Sequence, residues 1–510
     1  MRSRLLRAGP LALFAALIVP ATALAGSAEL QSSIDGKLDE AIPTATLWVV
    51  VAAILVLFMQ AGFAMLEIGF SRAKNAGTGV AKILTNLSIA AICYWAVGFA
   101  FAFGSSDVLG ISDQLLGSNG FFLQYAGNPA EAFPVMELSA ASPEAKFLFQ
   151  FAFCAVSLAI VWGSTLERIK YSAYVIYAII FAAIIYPVGS HWVFGGGWLQ
   201  DGDTPLMPTG MQDFAGSTAV HLIGATGAFA ALLLLGPRKG KYGPDGKPRA
   251  IPGHSMPLVG LGVLILFIGW FGFNPGSTLG ISDTRLADVA VVTLLGAGGG
   301  VIGAFVTSQL RLRTIDIGMV GNGAIAGLVA ITAPSGYVEP WAGPIIGFVG
   351  GVIVVLGVVA IDKKIDDPLG ATSAHGLAGI WGTLSCGLFT APRLAEYNAF
   401  GNPEGGLLYG GGLTQLAAQA IGVVIIFAFV FALSFAAFAV IKATVGLRVS
   451  EEEEDAGLDI VEHGMYGYPE QFIPAPEIGG ASIGPAARPA TAPAASQVQR
   501  GAATPGEAPA

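Results

Sequence analysis

Long apolar segments alternate with short polar ones along most of the chain. Eleven of them, near 45–70, 78–103, 147–166, 171–190, 214–236, 256–274, 284–308, 316–334, 342–361, 371–391 and 412–442, approach or exceed the length of about 20 residues that crosses a bilayer. The pattern predicts an all-α polytopic membrane protein with eleven transmembrane helices. Basic residues orient it. The connections after segments 1, 3, 5, 7 and 9 carry Arg72 and Lys74; Arg168 and Lys170; Arg238, Lys239, Lys241, Lys247 and Arg249; Arg311 and Arg313; and Lys363 and Lys364. Those after segments 2, 4, 6, 8 and 10 carry only Lys146, Arg285 and Arg393. This alternation predicts an N-terminus outside and a cytoplasmic C-terminus.

A short motif recurs within that frame. "GSTAVH" opens segment 5 and "GATSAH" opens segment 10, placing His221 and His375 154 residues apart. Five segments per unit is an odd number, so the second unit inserts upside down. The expectation is a 5+5 inverted repeat with segment 11 outside it, and transporters built this way bind substrate near the midplane at the repeat interface. His221 lies eight residues after Asp213, about 12 Å in from the outer face. His375 lies seven residues after Pro368, roughly 10 Å in from the inner face. In a core about 30 Å thick the two imidazoles are expected to meet near the middle.

Composition supports this class. Of 510 residues, 54% are hydrophobic and only 12% charged, and 70 are glycine. Soluble domains carry about 25% charged residues. The net charge of −9 comes from "EEEE" at 451–454 and from acidic loops, and nothing points to nucleic acid. Residues 1–25 read as a secretory signal peptide, with three arginines, an apolar run and "ALA" before Gly26; the competing reading is a short first membrane helix. The expected division is then an external (periplasmic) segment at 26–44, a transmembrane domain at 45–445, a cytoplasmic C-terminal region at 446–474, and a Pro/Ala/Gly-rich disordered tail at 475–510. Cys93, Cys154 and Cys386 are scattered in apolar segments and form no disulfide framework or metal spacing. Glycines at GxxxG spacing (296, 299, 300 and 303; 343, 347 and 351) predict close helix approach.

Two histidines in matching repeats are functional candidates. The alternative for each is a core histidine bonded to a backbone carbonyl. A metal site is disfavoured, because zinc wants three or four ligands and no carboxylate follows within one turn of either histidine. A neutral imidazole pair instead shares a hydrogen bond and passes a proton. Phe149 and Phe153 lie one turn apart in segment 3, and Trp270, Phe271 and Phe273 cluster near Ser277 at the end of segment 6. Aromatic faces bind cations, although aromatic stripes also serve plain membrane packing. No nucleophile, cofactor or metal arrangement suggests an enzyme.

The chain resembles the Amt/Rh family of ammonium transporters from about 45 to 470. The resemblance is carried by "QAGFAMLEIGFSRAKN", "DFAGSTAVH", "GWFGFNPGS", "GNGAIAGLVAITAP", "DDPLGATSAHG" and "GLDIVEHGMYGYP". It implies that His221 and His375 are twin pore histidines and that Phe149 and Phe153 form a stacked gate. It also implies that Trp270 and Ser277 form an external recruitment site with Asp213 beneath it, Asp213 being equally readable as a helix N-cap. Phe194 stands where many relatives carry a tryptophan in that vestibule, and Glu67 stands where some carry an aromatic residue. The implied substrate is ammonium or ammonia, with methylammonium as an analogue. The implied assembly is a lipid-embedded homotrimer without cofactors, met at the cytoplasmic face by a PII-type signalling protein. A passive ammonia or carbon dioxide channel of the Rh kind and an ammonium sensor remain alternatives. In the tail, Asp459, Glu462, His463, Tyr466 and Tyr468 are expected to dock against Arg238, Lys239, Lys363 and Lys364, tying the two repeat units together.

Overall fold

A computed structural model describes residues 41–106, 112–202, 204–281 and 284–472. The expected signal peptide at 1–25 and the tail at 475–510 lie outside these residues. Among the described residues the chain is helical and contains no strand. Its membrane helices are α1 (Ala41–Phe70), α2 (Ala76–Cys93, continued through a π turn to Phe103), α3 (Pro143–Ser164), α4 (Tyr171–Ile180, continued through a π turn to Phe194) and α5 (Ser217–Leu222 as a π turn, then Ile223–Leu235). The second unit comprises α6 (Met256–Phe273), α7 (Arg285–Leu312), α8 (Ile317–Thr332), α9 (Ala342–Ile361) and α10 (Thr372–Leu377 as a π turn, then Ala378–Phe389), and α11 is Thr414–Thr444. Among the described residues nine are long and apolar enough to span a membrane. The other two are α8, which has 16 residues, and α10, whose Thr372, Ser373, His375, Thr383 and Ser385 dilute its apolar character. The expected eleven-helix arrangement is thus observed.

Burial separates the centre from the rim. α3 and α5 are almost wholly enclosed, while α11 leaves most of its surface exposed, as a helix facing lipid does. The α7 and α9 glycines bring backbones into contact. An added Cβ on Gly347 would lie 1.9 Å from the Gly296 carbonyl oxygen, and one on Gly351 would lie 2.1 Å from that of Gly300. Such small-residue seams let membrane helices pack closely.

The two histidine helices begin alike. Gly216 has φ 117° and Gly370 φ 72°, a left-handed backbone that favours glycine. Each glycine precedes a π turn that carries the histidine; π segments often mark functional positions. Asp213 and Asp367 cap the two starts, each eight residues before its histidine (221 − 213 and 375 − 367).

The segment after α11 docks on one face of the bundle. It forms α12 (Glu451–Ala456), started by a Ser450–Glu453 capping box, and α13 (Leu458–His463). Asp459 accepts the backbone N–H groups of Gly77 (2.9 Å) and Thr78 (2.8 Å) and so caps α2. Glu462 accepts the Tyr171 N–H at 3.0 Å and caps α4. The expected basic partners are partly different. Lys239 does reach Asp455 at 2.6 Å, but Arg238 is forked onto Asp366. Among the described residues no ion pair joins Lys363 or Lys364 to the tail. Lys74 and Arg448 serve instead: Lys74 donates to the carbonyls of Glu454 and Asp455, and Arg448 meets Glu454 at 2.6 Å. These two basic residues lie closer to the α12 carboxylates and carbonyls than the α9–α10 loop does.

Candidate functional site

At the face opposite the tail, a cavity of about 640 Å³ opens among residues that include Phe149, Phe153, Phe194, Asp213, Ser277 and Arg285. Its floor is aromatic. Phe149 and Phe153 have ring centroids 4.5 Å apart. Phe153 stacks on Phe273 at 3.9 Å with an interplanar angle of 4°. Phe273 leads to His221, 5.4 Å away, and His221 leads to His375, whose ring lies 5.2 Å away at 23°. The two Nδ1 atoms are 3.2 Å apart. A bond between them needs one Nδ1–H donor and one Nδ1 lone pair, so a neutral pair holds its second proton on an Nε2. His221 Nε2 is buried and has no partner in the protein. Below the pair, a cavity of about 20 Å³ is lined by His375, Glu67, Asn322 and Leu369. That is room for about one water-sized molecule.

Hydroxyls lock the histidine turns in place. Ser157 donates to the Val220 carbonyl at 2.8 Å, Ser217 to the Val329 carbonyl at 2.7 Å, and the hydroxyls of Thr218 and Thr383 are 2.6 Å apart. Asp213 accepts four backbone N–H groups, from Gly216, Ser217, Thr218 and Ala219, at 2.8 to 2.9 Å. Both of its oxygens are thereby engaged by the α5 N-terminus, which is the N-cap geometry. Asp367 accepts the Thr372 N–H at 2.7 Å and hydroxyls from Thr372 and Ser164.

Most of the residues singled out by sequence gather along this line, but Trp270 does not sit in the outer cavity. It is fully buried, donates its indole N–H to Thr332 at 2.9 Å and stacks on His221 at 5.2 Å and 19°. The α6 helix continues one turn beyond Trp270, which carries Phe273 and Ser277 outward and leaves the indole beside the histidine. Ser277 and Phe194 do line the cavity. Ser277 donates to the Phe273 carbonyl at 2.9 Å, which leaves its oxygen as an acceptor. Sequence reasoning gave no role to Phe273, although it links gate and histidine. It also passed over Asp367, although the eight-residue Asp-to-His interval was there to be read twice. Among the described residues no group of three His, Cys, Asp or Glu side chains gathers as a metal site would require.

Among the described residues, eleven membrane helices around a buried line of aromatic rings and imidazoles define a multi-pass helical membrane protein. The Ammonium Transporter Family model matches residues 47–468. The chain is 41% identical over 437 residues to ammonium transporter Amt2 of Archaeoglobus fulgidus, covering 85% of this chain and 90% of that one. It is 35% identical over 435 residues to ammonium transporter 3 of Dictyostelium discoideum, covering 83% and 94%. Among solved structures it resembles a sensor Amt protein with TM-score 0.73 and 34% identity, covering 83% of this chain and 99% of the other. It also resembles Candida albicans Mep2 with TM-score 0.72 and 27% identity, covering 85% and 92%. The chain belongs to the ammonium transporter family.

Proposed function

We propose that the protein carries ammonium across the membrane by splitting it into ammonia and a proton at the aromatic gate. The observation that carries this reading is the His221–His375 pair, bonded Nδ1 to Nδ1 at 3.2 Å directly beneath stacked phenylalanines. Ammonium enters the outer cavity, where the faces of Phe149 and Phe194 and the Ser277 oxygen attract a cation. Moving the intact ion past apolar walls costs several kcal/mol or more. Releasing its proton near pH 7 costs about 3–4 kcal/mol, at about 1.36 kcal/mol per pKa unit. Deprotonation is the cheaper route, and ammonia then passes the imidazoles. Potassium has no proton to release and is excluded by the same arithmetic.

In this reading the outer cavity faces outside and the tail face is cytoplasmic, following the basic loops. The site acts within a homotrimer, and the tail face is where a PII-type protein docks. The test is ammonium-evoked current from the reconstituted protein on a solid-supported membrane, with potassium as control. A selective current supports proton-coupled transport. Ammonia permeation without current selects the passive channel.

A further inference from the structure

Glu67 and Lys82 are both fully buried in the membrane helices, and none of the transport steps above uses them. Glu67 sits on α1 three residues before its end at Phe70, and Lys82 sits early in α2. Neither Glu67 oxygen and not the Lys82 ammonium has a hydrogen-bond partner. Buried carboxylates and ammoniums left unpartnered cost far more than paired ones, so ordinary packing does not account for them. Their surroundings give direction. Glu67 lines the small inner cavity together with His375. Gly163 lies beside it: a Cβ built there would sit 3.7 Å from Glu67 Oε1. Lys82 supplies the facing charge, with its ammonium 5.7 Å from the centre of the Tyr174 ring. Arg168, Glu167 and Glu462 are further charges that act on Lys82. The small cavity thus has the His375 imidazole and the Glu67 carboxylate on one lining, with further charged groups between it and the tail face.

We propose that Glu67 is the proton donor that turns ammonia back into ammonium on the inner side of the histidine pair; this rests on the transport reading above. The proton taken from ammonium at the gate passes through His221 to the His375 Nδ1, the His375 Nε2–H bond breaks, and that proton bonds to a Glu67 carboxylate oxygen. That O–H bond then breaks as the ammonia lone pair in the cavity takes the proton. A carboxylate, again facing Lys82, and one ammonium ion result. One ammonia and one proton arrive and one ammonium leaves, so atoms and charge balance. The carboxylate also attracts the newly formed cation within the cavity.

The test uses the full-length protein in proteoliposomes and reads two signals, ammonium-evoked current and ammonia permeation followed by internal alkalinisation. Glu67→Gln keeps the shape but loses the transferable proton. Its current is expected to fall about 100-fold, the scale of a lost general acid, while ammonia permeation stays within about twofold of wild type, as expected for a step that moves no proton. Glu67→Asp should recover part of the current. The double variant Glu67→Gln with Lys82→Met separates relay from scaffold, because removing both charges restores a merely structural pair but not a proton donor. Wild-type current in Glu67→Gln, restored current in the double variant, or loss of ammonia permeation along with current each overturns the proposal. Failure of the transport reading itself looks different: wild-type protein would then give no ammonium current, or the His221 and His375 variants would leave it unchanged.

Discussion

The starts of α5 and α10 are copies of one device set in opposite surroundings. Each has an aspartate, then a left-handed glycine, then a π turn carrying a histidine that meets its counterpart. The α5 copy faces a wide cavity, and its aspartate is saturated by four backbone N–H groups. The α10 copy faces a cavity about one water in size, and its aspartate takes a single backbone N–H plus hydroxyls. Next to it Asp366 is gripped by Arg238, at 2.9 Å from both the Nε and Nη2 nitrogens, and its carbonyl is held by Arg168 at 2.7 Å. The repeat therefore supplies the meeting point, while the surroundings differ: a wide cavity lies on the α5 side, and a small one lies on the α10 side, where Arg168 and Arg238 of the first unit hold Asp366 of the second.

The largest effect should come from removing what the two copies share. His221→Ala combined with His375→Ala is expected to cut ammonium-selective current about 100-fold, the scale of lost acid–base groups, and to admit potassium through a wetted passage. Retention of wild-type current with potassium still excluded would break the comparison at its centre.

The caps should then diverge. Asp213→Ala strips an anion from four N–H groups and is expected to cost on the order of 4 kcal/mol. Asp367→Ala should cost about 1–2 kcal/mol, as for an ordinary cap. Thermal unfolding in detergent measures both, and equal losses would mean that the surroundings do not matter.

A smaller, pH-dependent effect belongs to the α10 side alone. Burial pushes the Asp366 carboxyl up, but hydrogen bonds from Arg238 and the charges of Arg168 and Arg238 outweigh it and hold the group at about 2, below its ordinary 3.8. Because the folded value is depressed, its stabilisation of about 2 kcal/mol is complete above about pH 4 and disappears as pH falls toward 2. Asp366→Asn should remove this at neutral pH and flatten the acid limb of the melting profile; an unchanged limb would locate the acid sensitivity elsewhere.

The tail sharpens the same contrast, since it docks on the face opposite the wide cavity. Truncation after 475 should leave transport near normal. Truncation after 450 removes the Asp459 and Glu462 caps, each worth about 1 kcal/mol, and should lower transport without preventing insertion. Identical rates at equal membrane abundance would make the tail an appendage.

The smallest effects lie in the wide cavity. Phe194→Trp should tighten apparent ammonium affinity by about 0.5–1 kcal/mol, the gain of a better cation–π face. Trp270→Leu should leave that affinity alone and slow turnover, because the indole lies against His221 and Thr332 rather than in the cavity. Concentration dependence of the current distinguishes the two.

Helix number, the inverted repeat and the meeting of His221 with His375 were legible in sequence, because apolar length, loop charge and a repeated hexapeptide are local signals with global consequences. The depth of Trp270 was not. "GWFGFNPGS" gives an order of residues but not where α6 ends, and one extra turn shifted which residue faces outward. The tail's partners were half legible. Its acidic and aromatic groups announced docking, but Lys74 rather than Lys363 or Lys364 receives it, a choice made by how loops fold back. Glu67 was conspicuous as a charge in an apolar helix, yet only the shared cavity with His375 gives it a neighbour to act upon.

The caps of α2 and α4 come from the far end of the chain. Asp459 follows Gly77 by 382 residues, and Glu462 follows Tyr171 by 291. During synthesis both helices enter the membrane long before their closing residues exist, with first-turn N–H groups facing water at the tail face. A chain that stops early leaves both helix ends uncapped, whereas a chain that includes Asp459 and Glu462 closes both with one docked segment.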